Sequence, residues 1–114
     1  MTTRFYSHPV YLEHITPPGH PERPDRLRAI GKVLEHESFA LLDRVQAPIA
    51  EETATLLGHP EHHTRRIKAA IPTEGLANVD GDTSVSPKSW EAALTAIGGA
   101  TAAVDDVFEG RADN

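Results

Sequence analysis

His20-Pro21-Glu22-Arg23-Pro24-Asp25-Arg26-Leu27 sets two prolines, two acids and two arginines side by side. Each proline removes an N–H donor and restrains the residue before it, so this string is a rigid lead-in rather than regular structure. Pro24 nevertheless suits the first turn of a helix, where its missing N–H has no partner to lose. Leu27, Ile30, Val33 and Leu34 follow at helical spacing and give that helix one apolar face. One reading of the string is structural, with the acids lying near the positive end of the helix dipole. The other is functional. Arg26 falls in the same first turn, where a cation gains nothing from the dipole, and so answers to another need. Residue chemistry alone divides evenly between the two.

Upstream, five of the nine prolines lie between Pro9 and Pro24, and Thr16-Pro17-Pro18-Gly19 continues the irregular stretch. Before it, Arg4 to Ser7 reads as a short strand through Phe5 and Tyr6. Downstream, Leu41 to Ile49 reads as a second short strand ended by Pro48. Ala50 to Leu57 is expected to be a short helix, and Pro60 opens another that carries Ile67, Ala70 and Ile71 before Pro72 stops it. Thr73 to Val85 is rich in turn residues. The last helix has Ser86 as its expected N-cap, Pro87 at its first position and Val85 stapled against Trp90. Trp90, Leu94, Ile97, Thr101, Val104 and Phe108 form its apolar stripe, and Gly110 caps its end.

The small residues Ala96, Gly98, Gly99, Ala100, Ala102 and Ala103 make one flank of this helix smooth. Two adjacent glycines cost about 1 kcal/mol each in a helix interior, so either another backbone approaches closely there or the helix packs tightly on a sheet. The count of elements is unbalanced: helices dominate, and no sheet is present for the long helix to cover. Arg111 to Asn114 lies where an α/β protein begins its next strand. The pattern is that of an unfinished α/β domain.

Composition narrows the function. The chain has 114 residues and a net charge of −6, which allows one modest domain and argues against general nucleic-acid binding. No cysteine is present, so disulfides and Cys-ligated zinc are excluded. No apolar run approaches the ~20 residues of a membrane span, and Met1 to Tyr6 lacks the apolar stretch of a signal peptide, so the expectation is a soluble cytoplasmic domain. His59, His62 and His63 cluster on one expected helix, but Glu61 does not sit as in H-E-x-x-H and Arg65 and Arg66 repel a cation. A His-rich surface helix is the simpler reading. Asp80 and Asp82 place two carboxylates on a loop, either shaping a turn or gripping a substrate.

The string HPERPDRL, preceded by a loop containing Tyr and His, resembles the N-terminal signature of the histone deacetylase superfamily. The similarity is greatest to the bacterial class II-like branch, which includes acetoin-utilisation-type proteins and acetylpolyamine amidohydrolases. GHPEHHTRRI, DGDTSVSPKSWEAAL and AIGGATAAVDDVFEG followed by ADN agree in order and spacing.

The resemblance implies an arginase/deacetylase-like three-layer α/β/α fold, of which residues 1–114 are the N-terminal part. It also implies a zinc-dependent amidohydrolase acting on acetylated protein or on a small-molecule amide such as an acetylpolyamine. Zinc polarises the amide carbonyl and activates water in such enzymes. The family's catalytic His pair and zinc ligands have no counterpart here, so no catalytic and no metal-ligating residue is expected, and the fragment alone is expected to bind no zinc and to be inactive. Pro17-Pro18-Gly19-His20 imitates the catalytic motif but runs on into Pro21. Two positions carry over. Arg26 matches the family arginine that borders an internal acetate-release channel, and Asp82 matches an acidic residue that meets the substrate backbone at the tunnel rim, with Asp80 as its competitor. Tyr6 and His14 fall in the early loop beside the channel. The alternative is a non-enzymatic interaction module derived from a deacetylase.

Overall fold

The computed structural model describes residues 1–114. Strand β1 (Arg4–Ser7) pairs in parallel with β2 (Asp43–Gln46), with Phe5 opposite Arg44 and Tyr6 opposite Val45. Helix α1 (Pro24–Leu34) lies between them in the chain. Its predecessor Arg23 is extended and Pro24 opens the first turn, as the proline chemistry requires. The expected helix over 50–57 is a 3-10 segment, Glu52–Leu57, and Glu61–Ala70 forms α2. Within the turn-rich stretch, β3 (Ala77–Asn78) and β4 (Ser84–Val85) pair as a minimal antiparallel hairpin.

Helix α3 (Ser89–Phe108) starts three residues later than Ser86. Ser86 does not cap it directly; Pro87 and Lys88 make a turn first, and Ser89 N–H donates to the Ser86 carbonyl at 3.0 Å. The C-terminus follows expectation. Gly110 takes φ +72°, Arg111 N–H donates to the Asp106 carbonyl at 2.8 Å and Gly110 N–H to the Val107 carbonyl at 3.2 Å. These two bonds are the Schellman arrangement.

Leu94 of the expected apolar stripe is buried, while Val104 and Phe108 are 55% and 88% exposed. Of the small residues, Gly98 and Gly99 are buried, and Ala96 and Ala100 are exposed. The closest packing is at the glycines. A Cβ at Gly98 would stand 2.0 Å from the Pro48 carbonyl oxygen and 2.9 Å from the Ala50 nitrogen. One at Gly99 would meet the Ala47 Cβ at 3.0 Å. The backbone after β2 therefore lies directly on α3, and Ala50 N–H donates to the Leu94 carbonyl at 3.1 Å. The tail also returns to β1. Arg4 N–H donates to the Asn114 carbonyl at 2.9 Å and Asp113 N–H to the Thr2 carbonyl at 2.9 Å. Thr3 and Ser7 turn their carbonyls to β2 instead, so the tail lies along the opposite edge of β1.

Candidate functional site

Between β1, the early loop and the smooth flank of α3 is an open cavity of about 680 Å³. Its polar wall is Arg4, Tyr6, Tyr11, His14, Glu22 and Ser89; its apolar wall is Leu27 and the alanines of α3. Small residues on α3 are what leave the space. The cavity takes in Tyr6 and His14, which the resemblance set in the early loop, and Glu22 of the HPERPDRL string, while Tyr11 and Ser89 carry no sequence signal that singles them out.

Each polar wall residue is held by the fold. Asp106, at 3% exposed, accepts the Tyr6 hydroxyl, Arg4 Nη1 at 2.6 Å and Arg111 Nε at 2.6 Å. Arg4 Nε also reaches Asp43 at 2.9 Å. The Tyr6 hydroxyl and the two guanidiniums keep the Asp106 carboxyl far below its ordinary pKa, and the same bond to Asp106 raises the Tyr6 phenol. Tyr11 donates its hydroxyl to the Thr95 carbonyl at 3.0 Å, and burial pushes its pKa up. Ser86 Oγ accepts Ile15 N–H at 2.9 Å and donates to the Glu13 carbonyl at 3.0 Å. Ser89 Oγ accepts Ser86 N–H at 2.8 Å and lies 2.6 Å from His14 Nδ1 and 3.2 Å from Ser86 Oγ. His14 Nε2 then faces Glu22, 3.5 Å away. Every hydroxyl here is engaged in structure.

The two transferred positions lie elsewhere. Arg26 is exposed and outside the cavity wall, to which α1 contributes Leu27 instead. Asp82 sits on the exposed turn before β4, its side chain 93% exposed, and its Oδ1 meets His20 Nε2 at 3.0 Å. Asp80 shapes that turn: its Oδ1 accepts Asp82 N–H at 2.9 Å and Thr83 N–H at 2.8 Å, and these bonds lower its pKa. Of the competing pair, Asp80 shapes the turn and Asp82 reaches out from it to His20.

No three His, Asp or Glu side chains converge among the 114 residues. The His59 and His63 rings lie 4.9 Å apart on α2 without a third donor. These residues do not fit a zinc site.

Residues 20–114 match the histone deacetylase domain. The chain belongs to the histone deacetylase family. It is 35% identical over 97 residues to a histone deacetylase-like amidohydrolase of Pseudomonas aeruginosa, covering 84% of this chain and 25% of that protein. It is 31% identical over 121 residues to a probable deacetylase of Archaeoglobus fulgidus, covering 100% of this chain and 32% of that protein. The crystal structure of the HDA15 HD domain superposes with a TM-score of 0.88 at 25% identity, over 100% of this chain and 34% of that one. The fold is thus part of the arginase/deacetylase fold, and the chain spans about a quarter to a third of the deacetylases it matches. No helix is long and apolar enough to cross a membrane.

Proposed function

We propose that residues 1–114 are the N-terminal part of a zinc-dependent deacetylase that hydrolyses N-acetyl amides such as acetyl-lysine or acetylpolyamine. The observation that carries this is the match of residues 20–114 to the histone deacetylase domain, reinforced by superposition along the whole chain. In this reading Asp82 receives a substrate amide N–H at the rim. Its exposed carboxylate on a turn shaped by Asp80 supports that role. The role of Arg26 beside an acetate-release channel rests on the resemblance of HPERPDRL alone, since these 114 residues leave its side chain exposed on α1. The 114 residues by themselves are inactive.

The test compares two proteins on an acetyl-lysine peptide with and without a zinc chelator: this chain, and the longest product of its gene that contains it. Chelator-sensitive hydrolysis by the longer product and none by the chain is the expected result. Turnover by the 114-residue chain refutes the proposed division. A folded longer product that hydrolyses neither acetyl-lysine nor acetylpolyamine refutes the deacetylase reading and favours an interaction module.

A further inference from the structure

The Pro17-to-Glu22 loop and the turn at Asp80–Thr83 are 62 residues apart in the chain at their point of contact, His20 with Asp82. The His20 ring is held from both sides. Its Nδ1 lies 3.0 Å from the Glu22 N–H and 3.3 Å from the Glu22 carbonyl. A nitrogen that accepts an N–H carries no hydrogen of its own, so the neutral ring has its proton on Nε2, the atom 3.0 Å from Asp82 Oδ1. His20 is therefore a donor of fixed orientation, with its side chain 20% exposed. The turn is fixed from the other direction by Asp80, and Asp82 Oδ2 has no protein partner.

We infer that His20 is the positioning residue of Asp82: it engages Oδ1, holds the carboxylate in one rotamer and leaves Oδ2 as an oriented acceptor for a peptide amide N–H. The inference rests on the rim role proposed for Asp82. A free surface aspartate samples several rotamers and loses that freedom when it meets a ligand, whereas a carboxylate already held loses less. The rigidity of the loop serves the same end. Gly19 supplies φ +81°, His20 N–H donates to the Pro17 carbonyl at 3.0 Å, and the Thr16 hydroxyl donates to the Glu22 carbonyl. His20 thus points at the turn from a braced platform. Asp82 in turn raises the His20 pKa above its ordinary 6.5, with the Glu22 carbonyl adding to the effect. The other charges near the clasp are Asp80, which Arg66 faces, and Glu22, which faces His14.

Side-chain NMR of the 114-residue chain tests the clasp. The expected signature is the Nε2–H tautomer at pH 8, titration above 6.5, and a single Asp82 χ1 rotamer. Asp82→Asn returns the His20 titration towards its ordinary value. His20→Ala averages the Asp82 rotamers, and His20→Asn, which keeps an N–H donor, restores one. A His20 titration unchanged by Asp82→Asn, or an Asp82 rotamer unchanged by His20→Ala, overturns the inference. Deacetylation by the longest gene product reads the substrate side. His20→Ala is expected to raise KM about threefold or more with kcat nearly constant, and His20→Asn to recover most of the loss. A clasp intact in the spectra together with a KM unmoved by Asp82→Asn overturns the rim role and leaves only a structural clasp.

Discussion

Gly98→Ala inverts the usual effect of removing a helical glycine. Alanine favours a helix interior by about 1 kcal/mol, which alone would stabilise α3. The structure opposes this with backbone on backbone: the new Cβ stands 2.0 Å from the Pro48 carbonyl oxygen, 2.8 Å from its carbon and 2.9 Å from the Ala50 nitrogen. Ordinary contact needs roughly 3.5 Å, so α3 and the segment after β2 must separate by about 1.5 Å. No flexible side-chain end is available to move aside. Overpacking of this kind costs about 3 kcal/mol, and loss of the Ala50–Leu94 bond adds about 1 kcal/mol. The expected balance is a loss of about 3 kcal/mol, or roughly 12 °C in Tm. Thermal unfolding followed by circular dichroism measures it, with Gly31→Ala as the matched control. Gly31 lies inside α1 with nothing within 4 Å of a built Cβ, so there the alanine should stabilise by about 0.5–1 kcal/mol. Equal Tm values for Gly98→Ala and the parent chain would refute the packing reasoning.

Ser86→Ala removes a 1%-exposed hydroxyl and leaves the Ile15 N–H and the Glu13 carbonyl unpaired, which should cost about 2 kcal/mol in urea unfolding. Gly110→Ala forces a side chain into φ +72° and should cost about 1 kcal/mol by the same measurement. Asp106 has a folded pKa held far below its ordinary 3.8, so its contribution is present above that value and lost as pH falls below it towards the folded pKa. Parent Tm should therefore drop steeply below about pH 4. Asp106→Asn should start lower at pH 7 and show a shallower acid slope; parallel slopes would show that the network is not the acid-sensitive element.

What was legible in the sequence is what local chemistry dictates. Phe5 and Tyr6 marked β1, and Pro24 marked the first turn of α1, because each acts through its own φ, donor or side-chain shape. The stripe on α3 was legible at Leu94, which is buried, whereas Val104 and Phe108 are exposed in these 114 residues. Periodicity ranks positions by apolar size and so gave no sign of where another backbone approaches most closely, which is at Gly98 and Gly99. The β3–β4 hairpin has two residues per strand, too few for an alternation to register. Asp82 was singled out by the resemblance alone, and its contact with His20 was not legible, since nothing near His20 in the chain announces a partner 62 residues away.

The two ionic clusters stabilise different things and share no partner. Asp106 gathers Arg4, Tyr6 and Arg111, so it joins β1, the end of α3 and the tail, and fixes the guanidinium and phenol that line one end of the cavity. It is deeply buried, and its three donors satisfy it, which is the condition under which a buried carboxylate is tolerated. His20 and Asp82 join two surface loops in water, where an ion pair adds little to stability. The buried carboxylate of Asp106 thus anchors one end of the cavity wall, whereas the exposed His20–Asp82 contact joins two loops at little gain in stability.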